Sequence, residues 1–333
     1  MKILSIDTSC DETAAAVVEG RRVLSNVIYS QILIHKKWGG VVPSLAKRAH
    51  EERIDLVIDE ALKKNKIDYI AVTQGPGLAV ALEVGIKKAK ELAEKYDKKL
   101  ISVNHLEGHI YSPFVQNSRG NPVREFHFPY LALVISGGHT EFVIFKNHLD
   151  YEIIGATLDD AAGEAIDKAA KLLNLGYPGG PVIEKLAGDV KNIDSYRFPR
   201  PMLKSNDLNF SFSGLKTSFY YFLKKNHNEP IKELASSFQE AVFDTIIKKT
   251  EKAIKKSGIN RLIVGGGVIA NLRLRQLFRN LTNQYQGEVL FPAYKYLSGD
   301  NAAMIGVVAS YKAERKIFVE NEEELDRIPR FSL

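Results

Sequence analysis

The sequence predicts an α/β protein of two lobes built on one plan. Three observations carry that expectation: a length of 333 residues, apolar strands alternating with amphipathic helical stretches, and a restart of that grammar near Phe128. Domains run to roughly 100 to 200 residues, so this length suits two. With 45% hydrophobic and 26% charged residues, the chain has apolar material for a core in each lobe.

The first half opens with KILSID, AAAVVEG and RRVLSNVIYS, short apolar stretches parted by turn residues, which read as a strand meander. A helix from about Pro43 to Lys63, the strand DYIAVTQ, a Gly75-Pro76-Gly77 turn, a helix to about Tyr96 and the strand LISVN follow. From Phe128 the plan begins again. YLALVISGGHTEFVIF and YEIIGATL are strands with a glycine turn, followed by helices at Ala162 to Leu173 and Phe238 to Lys256, the strand RLIVGGG and a helix from about Ala270 to Asn280. Ile6-Asp7-Thr8-Ser9 and Ile135-Ser136-Gly137-Gly138 occupy matching strand-to-turn positions, so duplicated lobes with a ligand cleft between them are the economical reading. The expected boundaries are 1–127, 128–312 and a tail at 313–333.

Several classes fall away. No apolar run approaches the roughly 18 residues of a membrane span, and the start reads as a first strand instead of a signal peptide. A single cysteine, Cys10, excludes a disulfide scaffold and makes the cytoplasm the expected compartment. The net charge of +6, with lysine pairs at 36–37, 63–64, 98–99 and 224–225, suits a polyanionic partner such as RNA; solvated helix faces are the alternative.

Glycine turns supply the candidate nucleotide contacts. VISGGHT ends an apolar strand in two glycines whose amides can approach an anion, with a tight hairpin turn as the alternative. LIVGGGVIAN runs a buried strand through three glycines into a helix, with Asn271 expected in its first turn. It lacks GxGxxG spacing, and the chain has no GxxxxGK[ST] loop, so any nucleotide is held by another architecture. Tyr177-Pro178-Gly179-Gly180-Pro181 could present amides at a helix start.

His105 and His109 stand four residues apart after the strand LISVN, about 5 to 6 Å apart on one helix face, which suits one metal ion. The arrangement is not HExxH. Glu107 lies two residues from each histidine, roughly 160 to 200° around the helix, so it points away from the metal face and a peptidase is disfavoured. Asp300, in Ser298-Gly299-Asp300-Asn301, offers a carboxylate ligand, with an N-cap as its alternative role. Two histidines and a carboxylate with open positions suit iron(II) or zinc, and the donor set leaves the choice between them open. Asp7, Asp11 and Glu12 beside the first strand could hold a metal-bound water or accept a proton. Asp160, Glu164 and Asp167 recur at helical spacing, and Asp167 could instead face the cleft.

IDTSCDET, GGVVPSLAKRAH, QGPGL, VNHLEGH, LVISGGHTEFV, LDDAAGEAIDKAAKLL, GYPGGP, FPRPM, NFSFSGLKT, VGGGVIAN and SGDNAAMIG, in this order from residue 6 to about 306, resemble the TsaD family of tRNA threonylcarbamoyladenosine transferases. The resemblance implies two duplicated lobes of the actin-like, Hsp70-like and hexokinase-like (ASKHA) class. It implies transfer of a threonylcarbamoyl group from threonylcarbamoyl-adenylate to N6 of the tRNA adenosine just 3′ of the anticodon, with release of AMP. By the same resemblance His105, His109 and Asp300 fall on metal ligands, and Val134, Ile135, Ser136, Gly137, Gly138, Asp167, Gly180 and Asn271 on adenylate-binding positions. Glu12, or else Asp11, would take the N6 proton. A TsaB-like paralogous partner, a TsaE-like ATPase and tRNA are the implied partners. Ser44 and Ser298-Gly299 depart from the family's frequent residues without removing a mapped ligand, and Glu184 stays unassigned. The leading alternative is a regulatory ATP-binding module acting through partners.

Overall fold

The computed structural model describes residues 1–63 and 65–333; Lys64, one of the paired lysines above, lies outside the described residues. The chain divides into two compact units. The first comprises Met1–Phe126, His148–Asp150 and Pro292–Leu333, the second His127–Asn147 and Tyr151–Phe291.

The first unit runs β1 (Lys2–Asp7), β2 (Glu12–Glu19), β3 (Arg22–Ser30), α1 (Ile32–His35), α2 (Pro43–Leu62), β4 (Tyr69–Gly75), α3 (Ala79–Tyr96), β5 (Leu100–Asn104) and α4 (His105–Tyr111). Its sheet order is β3-β2-β1-β4-β5. β1 pairs antiparallel with β2, Ile6 opposite Ala15, and parallel with β4, Leu4 opposite Ile70. From Ile3 to Asp7 every residue of β1 is buried, the mark of a central strand covered on both faces.

The second unit contains β6 (Tyr130–Ile135), β7 (Thr140–Asn147), β8 (Asp150–Ala156), α5 (Ala162–Leu172), α6 (Gly179–Asp189), α7 (Ser213–Lys225), α8 (Ile231–Ser257), β9 (Arg261–Gly265), α9 (Leu272–Gln284) and β10 (Glu288–Leu290). Its sheet order, β10-β9-β6-β7-β8, repeats the first strand for strand, with an antiparallel β6–β7 pair and a parallel β6–β9 pair. The duplication read from the two strand-to-turn junctions is therefore a duplication of topology. Fully buried Phe219, Phe238, Phe243 and Phe278 fill this unit's core, each worth about 3 to 5 kcal/mol against truncation to alanine.

The expected lobe boundaries differ from these units in one consequential place. After β10 the chain leaves the second unit at Pro292, and α10 (Ala302–Glu314) packs against β1, β2, β5 and α4 of the first. Buried residues run along most of α10, so it has no solvent face to betray which sheet it covers. Ser5 Oγ donates to Ala302 O at 2.6 Å, and a Cβ on Gly306 would come within 2.7 Å of Val18, so α10 lies close on the sheet. The segment expected as a separate tail is also part of the first unit: Ile328 N donates to Gln74 O at 2.9 Å and Asn104 Nδ2 to Phe331 O at 3.2 Å.

Candidate functional site

Two distant segments of the first unit assemble the histidine and carboxylate cluster. Asn104 ends β5, and its side chain accepts from Leu106 N at 2.8 Å while Glu107 Oε2 accepts from Asn104 N at 3.2 Å. This reciprocal cap starts α4 at His105 and sets His105 and His109 on one face, ring centroids 4.6 Å apart. Glu107, turned away from that face, also binds Lys312 Nζ of α10 at 2.8 Å. Gly108 lets α10 come close, because a Cβ there would lie 2.9 Å from Met304 Cγ.

The second segment delivers Asp300. The helix cap is Asn301, whose Oδ1 accepts from Met304 N at 3.1 Å, so Asp300 is left to face the histidines. Its Oδ1 lies 3.3 Å from His105 Nε2 and 3.4 Å from His109 Nε2. Metal bonds of about 2.1 Å meeting at octahedral to tetrahedral angles would separate donor atoms by roughly 3.0 to 3.4 Å, so the spacing fits one small divalent ion. One donor atom from each of the three residues lies within 4.8 Å of the others. Both ring nitrogens of fully buried His109 lack a hydrogen-bond partner among the described residues, as an electrophile's site requires. Behind His105, Asp7 Oδ2 stands 3.3 Å from Nδ1, and neither atom has another partner among the described residues. Such a carboxylate fixes the ring and its tautomer.

The electrostatics suit a cation. Burial opposes the charge on Asp300, yet the two histidines hold its carboxyl well below the usual range. Burial likewise opposes a charged His105, but Asp7 and Asp300 push its imidazole well above its ordinary value. Burial pushes His109 down and keeps it neutral, the form that binds metal. Beside this cluster Glu12 accepts from Ser30 Oγ at 3.2 Å; burial, then the charges of Asp11 and Asp300, push its carboxyl well above the ordinary value. Asp11 is buried nearby, and the Cys10 thiol is pushed up by burial and by Asp11.

The second unit holds a cavity of about 240 Å³, bordered by Gly137, Asp167, Gly180, Glu184, Gly267 and Asn271 among others. A Cβ added to Gly137, Gly180 or Gly267 would meet no atom within 4 Å, so these three backbones back directly onto open space. Neighbouring glycines do a different job. A Cβ would lie 2.6 Å from Ser136 O at Gly163, 2.4 Å from Ala170 Cβ at Gly179 and 2.3 Å from Ile135 O at Gly266, so these glycines permit packing.

Most of the polar groups here are already engaged. Asp167 Oδ1 accepts from Gly179 N at 2.7 Å, fixing the start of α6. Asn271 is the cap of α9 instead of a first-turn residue: Oδ1 accepts from Leu274 N at 3.1 Å and Nδ2 donates to Gln239 Oε1 at 3.0 Å. Glu184 accepts from Leu272 N at 2.7 Å. Within Val134 to Gly138 only Gly137 borders the cavity. Val134 and Ile135 are buried in β6, and Ser136 Oγ accepts from Gly138 N at 3.3 Å and His139 N at 3.0 Å, tying the turn to itself. Gln239 and Phe243, both on the cavity wall, escaped the sequence reading. The one signal was an amide among Phe238, Ala241 and Val242 on the apolar stripe of α8.

A family model described as tRNA N6-adenosine threonylcarbamoyltransferase matches residues 22–307. A curated relative of that name from Kosmotoga olearia is 47% identical, covering 96% of this chain and 95% of its own. Another from Thermosipho africanus is 44% identical over 100% of both. Among solved structures, full-length HypF in a phosphate- and nucleotide-bound form superposes with a TM-score of 0.61 at 14% identity, over 96% of this chain and 56% of that one. A ROK family glucokinase from Streptomyces griseus gives 0.52 at 12% identity, over 92% and 98%. These structural likenesses speak for the fold, the duplicated ASKHA class.

Proposed function

The chain belongs to the TsaD family of tRNA N6-adenosine threonylcarbamoyltransferases and forms threonylcarbamoyl-adenosine in tRNA, and from that premise we propose how its residues divide the work. The donor is threonylcarbamoyl-adenylate. Its nucleotide occupies the second unit's cavity against Gly137, Gly180 and Gly267, with Asp167 and Asn271 holding the walls in place. The turn at Ser136-Gly137-Gly138 meets the phosphate once Ser136 Oγ releases the amides it now accepts from.

His105, His109 and Asp300 hold one divalent ion, iron(II) in preference to zinc. When bound, the ion supplies Lewis-acid stabilisation of the charge that develops on the donor's oxygens. Asp7 keeps the His105 ring in register. The N6 amine of the adenosine just 3′ of the anticodon forms its bond to the carbamoyl carbon, the bond from that carbon to the phosphate oxygen breaks, and AMP leaves. Glu12 takes the N6 proton, with Asp11 next to it as the alternate acceptor. Burial and the charges of Asp11 and Asp300 raise the Glu12 carboxyl above its ordinary value, which makes it a stronger base than a free carboxylate. Because the amine's lone pair is delocalised into the ring, placement matters as much as basicity. The reaction takes place in the cytoplasm, with a TsaB-like paralogue and a TsaE-like ATPase as partners.

The observation that carries this reading is the convergence of buried His105 and His109 with half-buried Asp300, for which a regulatory ATP-binding module has no use. Reconstitution of the chain with threonylcarbamoyl-adenylate, unmodified tRNA and both partners, followed by nucleoside analysis, tests it. The expected product is threonylcarbamoyl-adenosine with one AMP released per transfer; intact tRNA binding with no modified adenosine overturns the reading.

A further inference from the structure

The outer face of α7 carries a pattern that neither the metal centre nor the cavity uses. Its sequence, SGLKTSFYYFLKK, buries Leu215 and Phe219 and lays two stripes at four-residue spacing on the other side: Lys216, Tyr220, Lys224 and Thr217, Tyr221, Lys225. Tyr220 is 39% and Tyr221 57% exposed, which is high for aromatic rings on one helix of a folded unit. The two rings stand 5.4 Å apart at 67°, and Lys224 Nζ lies 4.7 Å from the Tyr220 centroid. Between α7 and α5 these tyrosines, with Leu172, Thr217 and Lys171, border a shallow cavity of about 360 Å³.

The charges around it are unevenly matched. Lys168 and Lys216 are paired to Asp160 at 2.7 and 3.0 Å. Lys171, Lys224 and Lys225 are exposed, and no carboxylate among the described residues lies within 4.0 Å of their ammonium groups. The lysines of α8 differ. Lys248 pairs with Asp244, Lys255 pairs with Glu251, and Lys252 and Lys256 bond the carbonyls of Ser205 and Asn206. A lysine-rich helix is thus no signal by itself; unmatched lysines flanking exposed flat rings are.

We propose that this face of α7 docks a single-stranded, looped segment of the tRNA. Unpaired bases stack on Tyr221 and Tyr220, and the backbone phosphates lie along Lys171, Lys224 and Lys225. Stacking on aromatic rings with flanking cations is how unpaired nucleotides are held without base-specific contacts. The proposal rests on the reading of tRNA as substrate, and gives that substrate a place on the second unit.

Titration of full-length tRNA onto the full chain, followed by fluorescence anisotropy at several salt concentrations, tests it. Tyr221→Ala is expected to weaken tRNA binding roughly 5- to 100-fold, the loss of one stacked base, while Tyr221→Phe stays within about twofold of the parent. Lys224→Gln with Lys225→Gln should lower the slope of log affinity against log salt by about 1 to 2, and raise KM for tRNA while kcat holds. All three positions are exposed, and unchanged AMP binding checks the fold. Parent-like affinity and salt slope in every variant overturn the proposal, as does loss of a partner protein with tRNA binding intact. If Tyr221→Ala loses tRNA while the parent itself makes no modified adenosine, docking stands and the transferase reading falls. If the parent modifies tRNA and the variants do so at the parent's KM, docking alone falls.

Discussion

The metal-type cluster of the first unit and the cavity of the second are built by opposite means. The cluster adds groups: two imidazoles and a carboxylate converge, Asp7 stands behind His105, and the buried ring nitrogens of His109 make no hydrogen bond among the described residues. The cavity subtracts them. Asp167, Glu184 and Asn271 are engaged with the starts of α6 and α9, and open space lies where Gly137, Gly180 and Gly267 lack side chains. A point cation needs directed donors at fixed distances, whereas a flat ring and a phosphate need bare backbone and room. The two sites should therefore fail differently: one by deleting an atom, the other by adding one.

The strongest test of that contrast is His109→Ala. It should abolish stoichiometric metal, read by elemental analysis, and lower transfer on the order of 10³-fold, while AMP affinity of the cavity is kept. Gly267→Val should do the reverse, weakening AMP binding roughly 10- to 100-fold by calorimetry with metal content and Tm near the parent, since nothing lies within 4 Å of its new Cβ. Its neighbour sharpens this: Gly266→Ala, at φ 95° and 2.3 Å from Ile135 O, should lower Tm markedly. Asp7→Asn should weaken metal affinity roughly 10-fold, in competition with a chelator, because it removes the charge behind His105 without touching the ion. The smallest effect is one of pH. A base must be ionised, and the Glu12 carboxyl is held above its ordinary value, so transfer should rise with pH along a limb displaced above the ordinary carboxylate range. Glu12→Gln should remove that limb; a limb that persists unchanged passes the role to another group.

The sequence carried the local patterns well and the long-range ones poorly. Histidines four apart after a strand can only share a helix face, and Glu107 two residues from each can only point elsewhere, so that half of the cluster was legible by helix geometry. Asp300 was legible as a candidate but not as distinct from a cap, because only the fold shows Asn301 taking the cap. The glycines looked alike in sequence, yet Gly266 permits strand packing and Gly267 borders the cavity, a division set by what stands opposite each. Gln239 was hidden because its stripe on α8 is otherwise apolar. The boundary expected at 312 fell at 291, since an all-round apolar helix such as α10 carries no mark of which sheet it covers.

The return of α10 to the first sheet has a consequence for synthesis. The second unit is nearly continuous, from His127 to Phe291 apart from a short excursion at 148–150, so its core can close as soon as that stretch has left the ribosome. The first unit begins earlier and finishes later. Its central strand lacks the cover of α10 until residues near 314 emerge, and its three donor atoms cannot meet before Asp300 does. The three donor atoms are therefore a late assembly, and a product terminated before Asp300 would keep the second unit's cavity while lacking the carboxylate that completes the cluster.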